Sequence, residues 1–191
     1  MSAVEVSVVL PFRDHEDKIG RACRNIASYF RSQGKSFEIV AVDQGSGDNS
    51  QSVLALLRRE MPELQVMVGR GYGAGTRAAN AQILVLARID AVYTSVATAL
   101  DSALERVGTE GIDMYLVAET LLVCRQPTCK KLILSNATRR AKCERDLLDL
   151  ARRRGLSVRS YGPMAPRSSF GFAVPRFIAQ FMPHTAGPGH L

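Results

Sequence analysis

The sequence predicts an α/β protein, a mostly parallel sheet with helices on both faces, built as a single domain. Two observations predict it. Short apolar runs of strand length alternate with segments of helical period, the pattern of βαβ units. Each of the first four runs also ends in polar or Gly-rich residues. In a parallel sheet those ends gather at one edge, where open α/β sheets bind their ligands.

The elements follow in order. Val6-Ser7-Val8-Val9-Leu10 is the first apolar run and stops at Pro11. Ile19, Cys23, Ile26, Ala27 and Phe30 recur at helical spacing over residues 17–32, with Gly34 placed to end that helix. Phe37 to Val42 is the second run and leads into Asp43-Gln44-Gly45-Ser46-Gly47-Asp48-Asn49-Ser50. A second helix, capped by Ser50 or a neighbour, puts Val53, Leu54, Leu57 and Met61 on one face, and Pro62 limits it. Leu64 to Val68 opens into Gly71-Tyr72-Gly73-Ala74-Gly75-Thr76-Arg77, read as a loop with a short helix from Thr76 to Gln82. Ile83 to Ala87 reaches Asp90. Val96, Ala99, Leu100, Ala103, Leu104 and Val107 form the cleanest helical stripe. Met114 to Ala118 is a further strand. Residues 138–154 make a basic helix with Leu147, Leu148 and Ala151 inward, closed by Gly155, and Ser157 to Tyr161 is a last short strand. The domain is thus expected over residues 1–163, with 164–191 a C-terminal extension or tail.

Composition sets the class. The chain has 191 residues and a net charge of +7. No stretch reaches the roughly 18 apolar residues of a membrane span. No basic N-terminal region precedes a long apolar one, so a cytoplasmic location is expected. Cys23, Cys124, Cys129 and Cys143 lack the His and spacing of a zinc site and are expected as reduced thiols. The charge is unevenly placed. Residues 1–120 hold 12 Lys+Arg against 15 Asp+Glu, and residues 121–191 hold 13 against 3. A basic second half calls for an anionic partner: a phosphorylated substrate, an anionic membrane surface or nucleic acid. Nucleic acid is not expected, because no recognised motif accompanies the charge and there is no Trp.

Three places could carry chemistry. Asp43 ends the second strand, where a carboxylate can accept hydrogen bonds from a base or a ribose. Asp48 and Asn49 precede a helix and read as caps. Gly71, Gly73 and their neighbours can bring backbone N–H groups close to a phosphate, and Arg77 can add a forked contact to a diphosphate. Asp90 ends the fourth strand, the natural place for a ligand to Mg²⁺ or Mn²⁺ carried by a nucleoside diphosphate. Arg88, two residues earlier, could replace part of that metal's charge or exclude it.

At these residues the chain resembles the family 2 glycosyltransferases, which have the GT-A fold, a Rossmann-like nucleotide-binding architecture. The family's first strand ends in Pro-x-Tyr-Asn-Glu, matched by Pro11-Phe12-Arg13-Asp14-His15. Its second ends in Val-Asp-Asp-Gly-Ser-x-Asp, matched by Val42-Asp43-Gln44-Gly45-Ser46-Gly47-Asp48. Gly71 to Arg77 resembles its third loop, and Arg88-Ile89-Asp90 falls on its Asp-x-Asp. The segment Asp146 to Leu156, and Cys129-Lys130-Lys131-Leu132, look like the polyprenyl-phosphate sugar transferases such as dolichyl-phosphate mannose synthase. The resemblance covers about residues 4–163 and is strongest to Ser50.

The resemblance implies an inverting transferase that moves a sugar from a nucleoside diphosphate sugar to an acceptor, with Mg²⁺ or Mn²⁺. A lipid phosphate acceptor would suit the basic second half, with peripheral contact at the inner membrane face. By the family's pattern Pro11, Arg13, His15, Asp43 and Arg77 line the nucleotide pocket and Asp90 holds the metal. Four positions depart from the pattern: Arg13 for an aromatic residue, His15 for a carboxylate, Gln44 for the second Asp and Arg88 for the first Asp of the metal motif. No catalytic base can be named. Two other readings stay open. One is a transferase fold that binds nucleotide or a partner without catalysis. The other is a dinucleotide-binding domain, with Gly71-x-Gly73 after a strand and Asp90 ending the next, though Thr76 stands at its third fingerprint position.

Overall fold

Strands β1 (Val6–Phe12), β2 (Phe37–Asp43), β3 (Leu64–Val68) and β4 (Ile83–Ala87) lie side by side in a computed structural model of the chain, all parallel. The structure describes residues 4–118, 121–126, 151 and 153–160. Helices α1 (Ile19–Ser32), α2 (Ser50–Glu60), α3 (Gly71–Ala78) and α4 (Ala97–Thr109) alternate with the strands, with a 3₁₀ turn over Tyr93–Ser95. Strands β5 (Met114–Ala118), β6 (Leu121–Arg125) and β7 (Val158–Ser160) complete a seven-stranded sheet in the order β3-β2-β1-β4-β6-β5-β7. Among these strands β6 alone is reversed, antiparallel to both β4 and β5, while β7 is parallel to β5.

The core sits where the period-3.6 stripes meet one face of the sheet. Val6, Val8, Leu10 and Phe12 of β1, with Ile39 and Ala41 of β2 and Val85 and Ala87 of β4, face buried residues of three helices. These are Ile19, Cys23, Ile26 and Phe30 of α1, Leu54 and Leu57 of α2, and Leu100, Ala103 and Val107 of α4. Gly34 follows α1 at φ +64°, the left-handed stop expected of it. Cys23 is a free thiol whose pKa burial pushes up to about 12. Cys124 is disulfide-bonded, which departs from the expectation of reduced thiols.

The opposite face of β1 and β2 receives α3, and here the structure corrects the sequence reading. The helix expected over Thr76–Gln82 instead spans Gly71–Ala78, so the Gly-rich segment is helix and not loop. Its glycines serve close approach. A Cβ on Gly75 would lie 2.3 Å from Val9 Cγ1 and 2.8 Å from Val42 Cγ2, and one on Gly69 would lie 2.5 Å from Ala74 Cβ. Only a helix without a side chain at position 75 can lie that low on the sheet.

The far end of α3 is fixed by a buried polar cluster. Glu38 is 4% exposed and accepts from Ser7 Oγ (2.5 Å), Gln65 Nε2 (2.7 Å), Asn80 N–H (2.6 Å) and Asn80 Nδ2 (2.9 Å). Ser7 Oγ in turn accepts from Ala81 N–H at 2.9 Å. These bonds turn the chain from α3 into β4.

Strand β6, with Leu121 to Cys124 all buried, is an element the sequence reading lacks. Gly155, at φ +67°, ends the segment that carries buried Ala151, with Leu156 N–H donating to Ala151 O. The remainder of the basic helix expected over 138–154, Cys129, Cys143 and the extension from 164 lie outside the described residues. Among the described residues no helix is long and apolar enough to cross a membrane.

Candidate functional site

The sheet changes direction between β1 and β4. From β1 the chain steps outward to β2 and β3, then returns through α3 to place β4 on the other side of β1. Such a switch leaves a crevice outside the carboxyl ends of the two strands. Pro11 sharpens it. The β1–β4 ladder ends at Val9–Leu86, whereas β1–β2 continues to Phe12–Asp43. Phe12 O accepts from Gln44 N–H on the β2 side, so the N–H that Pro11 lacks would have faced the β4 side, where pairing has already ended.

The loops after β1 and β2 are fastened to each other. Asp14 N–H donates to Ser46 Oγ (3.0 Å), and Asp14 Oδ1 accepts from Gly47 N–H (2.7 Å). His15 N–H donates to Ser50 Oγ (3.1 Å). Glu16 N–H donates to Asp48 Oδ2 (2.9 Å), while Glu16 Oε2 accepts from Asn49 N–H (2.8 Å). Asp14 adopts φ +53°, a left-handed conformation that Asp tolerates better than most residues. Asp48 therefore does more than cap α2: bonds from Ser50 and Glu16 hold its carboxyl below the usual range, against a smaller opposing effect of desolvation.

Asp43 stands where the sequence placed it, at the end of β2, but it is fully buried and its oxygens accept from its own loop and from the first turn of α2. Oδ1 accepts from Gly45 N–H (3.1 Å), Ser46 N–H (2.8 Å) and Ser46 Oγ (2.7 Å), and Oδ2 from Gln51 Nε2 (2.6 Å). Burial pushes this carboxyl up, and the bonds from Ser46, Gln51 and Gly45 together outweigh it and hold the pKa low. The exposed polar group at this strand end is Gln44, whose Oε1 accepts from Gly71 N–H at 3.1 Å.

That bond and one other bring α3 to the crevice. Tyr72 Oη donates to Ala87 O at 3.1 Å, tying the first turn of α3 to the end of β4. Gly71, at φ +56°, and Gly73 lie in that first turn, where helix N–H groups face away from the helix body. Arg77 is exposed six residues beyond Gly71, about 9 Å along the axis, with its Cα–Cβ bond tilted back toward the helix N-terminus. Arg13 is exposed at the end of β1 and pairs with Asp14 at 3.4 Å; His15 is half-buried and its carbonyl accepts from Ile19 N–H at 2.8 Å, opening α1.

At the end of β4, Arg88 and Asp90 form a forked pair. Arg88 Nε donates to Asp90 Oδ1 (3.2 Å) and Nη2 to Oδ2 (3.3 Å), both side chains being about half exposed. Among the described residues no three His, Cys, Asp or Glu side chains come together as a metal set. A divalent cation carried by a diphosphate needs only one or two carboxylates, but here it would have to displace the guanidinium that forks Asp90.

The structure thus brings Pro11, Arg13, Gly71, Gly73 and Asp90 to one edge with Arg88, sets Asp43 beneath it and leaves Arg77 further down α3. Sequence reasoning missed Tyr72, whose signal was an aromatic residue between two glycines at a strand end. It noted Gln44 only as a departure.

No family model matches the chain. Over 70 residues it is 36% identical to an undecaprenyl-phosphate 4-deoxy-4-formamido-L-arabinose transferase of Edwardsiella ictaluri, covering 36% of this chain and 22% of that protein. The protein of the same name from Pseudomonas paraeruginosa is 39% identical over 70 residues, covering 36% and 21%. This chain spans about a fifth of the length of the curated relatives it matches. Among solved structures, a mannosyltransferase of Pyrobaculum calidifontis in complex with GDP-Man and Mn²⁺ has a TM-score of 0.68 at 15% identity, over 89% of this chain and 59% of that one. Glucosyl-3-phosphoglycerate synthase of Mycobacterium tuberculosis, in complex with Mn²⁺, UDP and phosphoglyceric acid, has a TM-score of 0.55 at 15% identity, over 82% and 68%. The fold is that of the GT-A glycosyltransferases. With the curated matches, it bears out the likeness read from the strand-end motifs: the chain is a divergent relative of the family 2 glycosyltransferases.

Proposed function

We propose that this chain binds a nucleoside diphosphate sugar in the crevice between β1 and β4 and transfers the sugar to an acceptor. The observation that carries the reading is the meeting, at a topological switch point, of the fastened 13–16 and 44–50 loops with the first turn of α3 and Arg88. Two of the solved neighbours are complexes with GDP-Man or UDP, which supports a diphosphate-linked donor. Pro11, Arg13 and His15 would form one wall of the nucleotide pocket. Asp43 would shape the other by holding the 44–51 loop, with Gln44 presenting its amide to the base or ribose. Gly73 would offer its N–H to the diphosphate, Gly71, whose N–H is held by Gln44 Oε1, would let the chain turn close to it, and the long Arg77 side chain would extend toward it along α3.

For the acceptor, the names of the curated relatives and the 13-to-3 basic excess of residues 121–191 support a polyprenyl phosphate met at the inner face of the membrane by a cytoplasmic protein in peripheral contact. An anionic phosphate can displace the nucleotide with inversion and needs no general base. A second reading, nucleotide binding without turnover, is favoured by Gln44 and Arg88 at the two positions where the family pattern has Asp.

Calorimetric titration with UDP-glucose and GDP-mannose tests the pocket. Saturable binding of one donor is expected; failure of both to bind sinks the reading. Sugar transfer to undecaprenyl phosphate in anionic vesicles then separates the enzyme from the non-catalytic binder.

A further inference from the structure

We propose that the Arg88 guanidinium, in place of a divalent cation, supplies the positive charge facing a bound diphosphate. The inference rests on the nucleotide-sugar reading above and concerns how that same site holds its ligand.

The strand-end carboxylates on which a metal would depend are all committed. Asp43 is buried with four donors on it. Asp14 accepts from Gly47 N–H and pairs with Arg13. Asp90 has a guanidinium nitrogen on each oxygen. To bind a divalent cation, Asp90 would have to shed a fixed positive charge only two residues away, and that charge would then repel the incoming ion.

Arg88 is suited to the alternative. It is permanently charged and planar, and the forked donors it directs at Asp90 match two phosphate oxygens equally well. The 3.2 and 3.3 Å contacts are long for charge-assisted bonds, and both partners are about half exposed, so the pair exchanges readily. Arg88 also directly follows Ala87, whose carbonyl accepts from Tyr72 Oη. That bond ties the end of β4, and with it the Arg88 backbone, to the first turn of α3, whose N–H groups favour negative charge. On this view Asp90 is the resting partner of Arg88, exchanged for the diphosphate when nucleotide arrives.

The test is calorimetric titration of the full chain with UDP and GDP, in EDTA and again in Mn²⁺. The nucleotide that binds is expected to do so with the same Kd within about twofold in both conditions. Asp90→Asn should bind as tightly or up to about fivefold more tightly, because it releases the guanidinium. Arg88→Gln should weaken binding about tenfold or more with an unchanged melting temperature, since the side chain is exposed. A requirement for Mn²⁺, or loss of binding in Asp90→Asn, would restore the metal and overturn this inference while leaving the nucleotide-sugar reading intact. Undiminished binding in Arg88→Gln would also overturn it. Failure of both nucleotides to bind in either condition would remove the nucleotide reading and this inference together.

Discussion

Gly75→Ala separates two opposed effects that the structure lets us weigh. In an ordinary helix the change gains about 1 kcal/mol, from lower backbone entropy in the unfolded chain and better propensity. Here the new methyl would sit 2.3 Å from Val9 Cγ1 and 2.8 Å from Val42 Cγ2, more than 1 Å inside contact with the first. Neither neighbour can swing away, because Val is stiff at χ1 and both lie in central strands. Relief must come from α3 lifting off the sheet, an overpacking that costs about 3 kcal/mol at the upper end of its range. The net loss is about 2 kcal/mol, or about 4–8 °C in melting temperature for a domain of this size. Urea denaturation measures it, and Val9→Ala in the same chain should restore at least about 1 kcal/mol by making room. Lifting α3 also strains the Gly71–Gln44 and Tyr72–Ala87 bonds, so nucleotide affinity should fall with stability. A neutral or stabilised Gly75→Ala would refute the packing account and return the glycines to a role in a loop.

Other consequences are open to the same kind of measurement. Glu38→Ala strands the buried Ser7 hydroxyl while leaving the exposed Gln65 and Asn80 to bond water, and should cost about 2 kcal/mol; a loss under about 0.5 kcal/mol would mean that Ser7 finds another partner. Tyr93 Oη is buried without a hydrogen-bond partner among the described residues, so Tyr93→Phe should leave stability unchanged or raise it by up to about 1 kcal/mol in a thermal melt; a clear loss would reveal a partner for the hydroxyl. Asp43, Asp48 and Glu63 are all held below their ordinary 3.8, 3.8 and 4.5: Asp43 by its loop bonds against burial, Asp48 chiefly by Ser50 and Glu63 chiefly by Arg31. Their stabilisation is complete above those ordinary values and is lost as pH falls through the lower folded values. These three therefore add no slope above about pH 5 and a falling melting temperature below about pH 4, and a constant melting temperature down to pH 3 would contradict their assignment.

The parallel half of the fold was legible because strands buried on both faces read as near-continuous apolar runs, as β1, β2 and β4 do, with Ser7 and Glu38 interrupting the first two. The stripe from Ile19 to Phe30 was legible because α1 buries one face only. What hid β6 was the same double burial. Leu121, Leu122, Val123 and Cys124 carry no alternation to mark a strand, and they follow β5 after only two residues. The start of α3 was hidden by glycines at 71, 73 and 75, which lower helix propensity; the one at 75 is needed only because of its approach to Val9 and Val42, which the sequence does not reveal. At the site, Asp43 was legible as a strand-end carboxylate, but its capture by Gln51, eight residues on, was not. Arg88 and Asp90 were legible as neighbours because two residues at a strand end are within reach of one another.

The reversed strand has a consequence for how the chain is made. Until β6 arrives, β4 is an edge, and it is an apolar one with Leu84, Val85, Leu86 and Ala87 all destined for burial. An uncovered strand of that kind is a template for a second chain. The cover comes late in synthesis, as a local antiparallel pair of β5 and β6 that docks onto strands already linked by helical crossovers. Fragments ending near Glu110 should therefore aggregate where the full chain stays monodisperse, and heat should open the β4–β6 seam ahead of β1–β2, a sequence that amide exchange would record strand by strand.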